Sequence, residues 1–226
     1  MTEQDWLDGT HPYDMIYHKG CRSDRKRRLL ACACARRVLR LAPSDAAFRT
    51  VIEVSERQAD GLATADDLKT AKRAATKRHD ALSETMSESA ESAAQSACFT
   101  AEKEFMYFKM AIEEAQMAVA ARRRSQWDAV LRREALAQCR LVVDVFGPLP
   151  FRRVVVDPAV LRWKDRTVPR LAQALDVDRR FEDLPVLADA LEDAGLNDAE
   201  ILRHCRRRGG VHCRGCWVLD LLTGRE

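Results

Sequence analysis

The chain has 226 residues, 38 of them basic and 35 acidic, for a net charge of +3. That balance marks no polyanion binder, so any such role has to rest on local clustering. With 46% hydrophobic and 32% charged residues the chain belongs with folded globular proteins and not with those that stay disordered. No apolar run approaches the roughly 18 residues needed to span a bilayer, and the opening stretch is acidic where an export signal is basic, so a cytoplasmic protein without a membrane partner is expected.

In chain order, Thr2 can cap a first short helix, and Pro12 suits the opening turn of a second that Gly20 closes. From Ser23 to about Leu41 the spacing predicts a helix with Leu30, Cys34, Val38 and Leu41 on an apolar arc and Arg25, Lys26, Arg36, Arg37 and Arg40 on a basic back. Pro43 breaks it, Ser44 caps a helix to about Asp60, and Thr64 with Asp67 opens another with a capping-box pattern. Between Gly61 and Gly147 neither Gly nor Pro occurs, which predicts long helices joined by polar turns, with turns expected near Ser83–Ser96 and near Ser125. The Ser- and Ala-rich stretch Ser83–Ser96 reads as an exposed helix or a loop. Beyond it, Phe105, Phe108, Ile112, Ala115 and Val119 form one helical stripe and Met106, Met110 and Met117 a second, the pattern of a helix central in a bundle.

Gly147-Pro148-Leu149-Pro150 marks the expected internal boundary, after which Val154-Val155-Val156 reads as extended, too short for a sheet of its own. Short helices follow, starting at Asp157-Pro158, after Thr167, at Leu184-Pro185, and at Asn197 with Glu200; Gly209-Gly210 ends the last of these, and Cys216 to Thr223 makes a final turn or two before Gly224. The fold class expected is all-α: a helical bundle over 1–147, a subdomain of short helices over 148–226 docked on it, and at most one extended segment near 153–156.

No phosphate loop, dinucleotide fingerprint, zincin helix or nucleophile elbow occurs, and His79-Asp80 are helix neighbours that point about 100° apart. No catalytic residue is assigned, and a non-enzymatic protein is expected. Eight cysteines in a chain of this size without an export signal are expected to be reduced thiols. The densest constellation is His204-Cys205, His212-Cys213 and Cys216. Cys213 and Cys216 have the spacing of half a tetrahedral zinc site, and Cys205 or His204 with His212 can complete it, so Cys205, His212, Cys213 and Cys216 are the zinc candidates; the alternative is that these side chains simply pack. Arg25, Arg36, Arg40, Arg206, Arg207 and Arg208 are the candidate polyanion contacts if they share a surface, against the alternative of solvated helix ends. Trp6, Trp127, Trp163 and Trp217 are expected as core anchors.

The opening TEQDWL with SDRKRRLLACACARRV, and FRRVVVDPAVLRWKDRTVPRLAQAL, FEDLPVLADALEDAG and HCRRRGGVHCRGCWVLDLLTG near the end, together resemble a large paralogous family of uncharacterised proteins from planctomycete bacteria. The likeness covers about 25 residues near the start and nearly everything from Phe151 onward, and the alanine-rich middle matches only in character. The resemblance implies no reaction, substrate or cofactor. It implies small domains that stand alone or beside other modules, as interaction or scaffold proteins do. The family's ending, H-x-R-G-C-W, matches His212, Arg214, Gly215, Cys216 and Trp217, and leaves Cys213 at the variable position. The role expected is therefore a protein-interaction module, with a zinc-stabilised or nucleic-acid-binding regulator as the alternative.

Overall fold

A computed structural model describes residues 1–148, 150–207 and 210–225, and among these it is helical with no strand. Leu149, Arg208, Gly209 and Glu226 lie outside the described residues, and with them part of the expected boundary at Gly147–Pro150 and of the Gly209-Gly210 stop. Helices α1 (Glu3–Leu7), α2 (Pro12–Ile16), α3 (Asp24–Val38), α4 (Ala46–Ala59), α5 (Ala65–Leu82), α6 (Glu88–Phe99), α7 (Phe105–Ala120) and α8 (Trp127–Phe146) precede α9 (Pro158–Asp178), α10 (Leu184–Asp193), α11 (Ala199–Arg206) and α12 (Trp217–Thr223). Among the described residues no helix is long and apolar enough to cross a membrane.

The starts are set by side chains that accept from orphan backbone amides. Thr64 with Asp67 forms a complete capping box, as its spacing predicts, and Thr2, expected as a cap, forms a second with Asp5. Two other caps sit one residue later than expected: Asp45 instead of Ser44 accepts from the Ala47 amide at 2.8 Å, and Asp198 instead of Asn197 accepts from Glu200 and Ile201. An ionised carboxylate at a helix start gains from the macrodipole as well as from the hydrogen bond. Within α9 the residues Trp163 to Arg166 leave helical geometry, so the element is two helices joined across a kink, which matches separate starts at Pro158 and after Thr167.

The central helix of the bundle is α3. Every residue from Leu29 to Ala35 is buried, because α4, α6, α7 and α8 pack around it. Its expected basic back is therefore confined to its two ends. Helix α7 buries the Phe108, Ile112 and Ala115 stripe, while on the methionine stripe Met106 is 61% exposed and Met110 and Met117 are half-buried. The stretch after Ser87 is no loop. It is α6, whose Ser and Ala faces allow α7 to approach closely, with Ser89 Oγ donating to the Ala118 carbonyl at 2.6 Å and Ser96 Oγ to that of Ala111 at 2.7 Å. Small residues bury little area each, but here they are what lets two backbones meet.

A second apolar cluster joins Val154, Val156 and Val160 to Leu175, Leu187, Ile201 and Trp217. The extended segment places Val154 and Val156 inward and leaves Val155 65% exposed. Trp6 and Trp217 are fully enclosed and Trp127 and Trp163 only partly. Gly147 lies where these two large rings meet the end of α8: its carbonyl accepts from the Trp6 indole at 3.0 Å, and a Cβ on it would lie 2.4 Å from the Trp217 ring at a φ of +54°.

The seam between the two clusters is ionic. Arg25 makes a two-pronged contact with Asp220, at 2.7 and 2.9 Å, and also donates to Asp60. Lys26, buried, donates to Asp220 at 3.0 Å and to the Val145 carbonyl at 2.7 Å. Arg214 pairs with Asp60 at 2.6 Å and Arg225 with Asp176 at 3.0 Å. Nearby, Arg36 grips Glu56 with both prongs, Arg179 adds a further contact to that carboxylate, and Arg37 holds Glu134 in the same two-pronged way.

Candidate metal centre

Asp144 lies in the last turn of α8, His204 in α11, His212 in the loop after it, and Cys216 at the start of α12. Asp144 is far in sequence from the other three, which lie close together near the C-terminal end, and one ligand atom from each of the four side chains lies within 4.8 Å of the others. His212 Nδ1 is 2.7 Å from Asp144 Oδ1, His204 Nε2 is 3.4 Å from that same oxygen, and His204 Nε2 is 3.1 Å from Cys216 Sγ. Two local features bring the loop inward. The Cys216 amide closes a turn on the Cys213 carbonyl at 3.1 Å. Gly215, at φ +83°, lets the turn press on α3, where a Cβ would lie 2.8 Å from Leu29.

Asp144 is buried, and burial pushes its carboxyl pKa up. The hydrogen bonds and nearby charge of His204 and His212 outweigh that and hold it well below the usual carboxylate range. Cys213 adds its backbone amide at 3.0 Å and its thiol at 3.5 Å, both on Oδ2. Burial, and then the charge of Asp144, push the Cys216 thiol well above its ordinary pKa. A fully enclosed thiol that resists ionisation is inert as a nucleophile, despite the histidine beside it.

The same four donors match a dication. Zinc bonds of about 2.0 to 2.3 Å give tetrahedral ligand-to-ligand edges of roughly 3.3 to 3.8 Å, and two nitrogens, one oxygen and one sulfur form a borderline-soft set. An aspartate and a thiolate would balance the charge of Zn²⁺, leaving a neutral buried centre. With all four positions supplied by the protein, such a centre is closed to water and substrate and is structural in type. One contact belongs to the metal-free arrangement. The Trp217 indole donates to His204 Nδ1 at 3.1 Å, which places the imidazole proton on Nε2, pointing at Asp144 and Cys216. Metal binding at Nε2 moves that proton and takes the acceptor from Trp217.

Of the zinc candidates read from sequence, His212 and Cys216 belong to this group. Cys213 touches it through Asp144, and Cys205 is buried in the second apolar cluster. His204, the alternative to Cys205, takes its place. Asp144 had no local signature beyond being a carboxylate inside the apolar run Val142-Val143-Asp144-Val145-Phe146.

The candidate polyanion contacts divide. Arg25 and Arg36 are engaged in the ionic seam, and Arg206 is held by Asp189 and Glu192. Arg40 and Arg207 are exposed, and Arg208 lies outside the described residues. Engagement by buried carboxylates removes Arg25 and Arg36 as phosphate ligands, because an incoming anion would have to displace a partner already desolvated, whereas Arg206 and its two carboxylates pair at the exposed surface.

No family model matches the chain, and neither a curated protein nor a solved structure is similar to it at a significant level.

Proposed function

We propose that this protein is a non-enzymatic interaction module whose C-terminal segment is held on the helical bundle by a structural zinc ion at Asp144, His204, His212 and Cys216. The observation that carries this reading is the convergence of four buried or half-buried donor atoms from four separate segments to within 4.8 Å. A closed donor set leaves no coordination position for a substrate, and the one thiol in it is enclosed, which supports a binding role over a catalytic one. The resemblance of both terminal stretches to the planctomycete family supports the same role. A reducing, cytoplasmic setting suits eight unpaired thiols.

Metal analysis of protein purified without added zinc tests the reading directly. One zinc per chain is expected, together with a lower melting temperature after chelation and loss of the metal in His212→Ala and Cys216→Ser. A metal-free chain whose melting is indifferent to chelator would leave the competing arrangement. There Asp144 is the hub of a hydrogen-bonded lock, as the Trp217 to His204 contact favours.

A further inference from the structure

The C-terminal end of α3, the junction of α7 with α8, and the loop before His212 enclose a cleft of about 440 Å³. Its rim carries Arg37, Arg40, Arg122, Arg123, Arg133 and Arg140. Val130, Arg133, Ala137 and Arg140 recur at helical spacing, so one face of α8 supplies both rim and floor. Arg37 is neutralised by Glu134, the one carboxylate in the lining. The other five guanidinium groups make no ion pair among the described residues, and all five are exposed. The floor is aliphatic, made by Leu41, Val119, Val130 and Val211.

Five unpaired guanidinium groups around one concavity raise its potential and favour an anionic occupant, and their planar forks suit carboxylates. A bare polyphosphate leaves the aliphatic floor without a partner. A nucleic-acid strand finds no aromatic ring in the lining on which to stack its bases. Charge on the rim and aliphatic surface beneath it match one chemistry together. We propose that this cleft is the docking site for an acidic segment of a partner protein, one in which glutamates or aspartates alternate with aliphatic side chains.

The inference rests on the reading of the chain as an interaction module and names the partner's chemistry. It also links the cleft to the metal centre. Val211 precedes His212, and Arg140 lies one helical turn before Asp144; both residues line this cleft and the small cavity over the centre. Ordering the loop at His212 therefore orders one wall of the cleft.

The test is fluorescence anisotropy with the full chain and a labelled synthetic peptide of about 12 residues in which glutamates alternate with leucines. A polyglutamate of equal length and labelled single- and double-stranded oligonucleotides are run beside it, at about 0.05 M and 0.2 M salt. Saturable binding of the mixed peptide is expected, tighter than that of polyglutamate and weaker at the higher salt. The double variant R133Q/R140Q should bind about tenfold or more weakly, with unchanged circular dichroism, while R162Q/R166Q, which removes the same charge outside the cleft, binds as the parent does. No saturable binding at low salt, tighter binding of an oligonucleotide, or equal losses in the two double variants would each overturn the proposal. Running the assay with the metal content measured separates the two readings: binding by a chain that holds no zinc keeps the cleft and removes the metal, and a zinc-loaded chain that ignores the peptide does the reverse.

Discussion

Two groups of arginines in this molecule have opposite surroundings. At the seam, Arg25, Arg36, Arg37, Arg214 and Arg225 each face a carboxylate that is almost wholly buried. In the cleft, Arg40, Arg122, Arg123, Arg133 and Arg140 face one another and solvent. The first group is part of the fold, since each charge has been taken out of water only because a partner was brought to it. The second group contributes nothing that the fold needs. What separates the two is the position of Asp60, Glu56, Glu134, Asp176 and Asp220 in space, which no local cluster of basic residues records.

Breaking the seam should have the largest effect. Asp220→Asn leaves Arg25 and Lys26 close together with their shared partner gone, Lys26 being only 5% exposed. Removing one member of a buried ion pair costs about 3 to 5 kcal/mol. At roughly 2 to 4 °C per kcal/mol for a chain of this size, the melting temperature should fall by about 6 to 20 °C. Urea unfolding checks this, and a shift of only a degree or two would mean that the seam is better hydrated than its burial indicates. Metal removal comes next. If zinc is held at a concentration about a hundredfold above its dissociation constant, its withdrawal costs about 2.7 kcal/mol, and His212→Ala should melt below the chelated parent, because it also removes the His212 contact to Asp144.

A smaller effect, confined to acid, should come from Asp144 in chelated protein. Its folded carboxyl titrates below the unfolded value of about 3.9. The unfolded chain therefore takes up a proton first as the pH falls. The stabilisation is complete above about pH 4 and is lost on acidification below it, by at most about 1.4 kcal/mol per pH unit for a single proton. Asp144→Asn should lower stability at neutral pH and show a flatter acid limb than the parent. Parallel acid limbs in the two proteins would mean that the carboxyl gains nothing from His204 and His212.

The same contrast governs what could be read from the sequence. Helices are legible because caps and apolar spacing are local: the Thr2 cap and the Thr64 box are recognisable, and Ser44 and Asn197 compete with Asp45 and Asp198, their neighbours in sequence, for the same amides. The stretch that becomes α6 is legible as a helix or a loop but not as a buried helix, because hydrophobicity is a poor guide where close backbone approach, not apolar area, makes the contact. The exposure of Met106 in α7 is not legible, because spacing shows that a face is apolar without showing that anything covers it. His212 and Cys216 stood out by local spacing, whereas Asp144 lies 68 positions before His212 in another helix. Arg25 and Arg36 were legible as basic but not as paired.

The finest comparison lies within α3 and the short turn that continues it, where Arg37 and Arg40 are three residues apart. Arg37 holds Glu134, whose side chain is 7% exposed; Arg40 lines the cleft and meets no carboxylate among the described residues. Arg37→Gln strands a buried carboxylate and should cost about 1 to 3 kcal/mol. Arg40→Gln removes one of several like charges and nothing else, so its effect should lie within about 0.5 kcal/mol of zero, on the stabilising side if repulsion in the cleft is felt at all. Low salt sharpens the sign, because repulsion between exposed charges grows as screening falls: the gain from Arg40→Gln should be larger at about 0.01 M than at 0.15 M ionic strength. A loss above about 1 kcal/mol would give Arg40 a structural partner, and the division between paired and unpaired arginines would then fail at its most closely matched point.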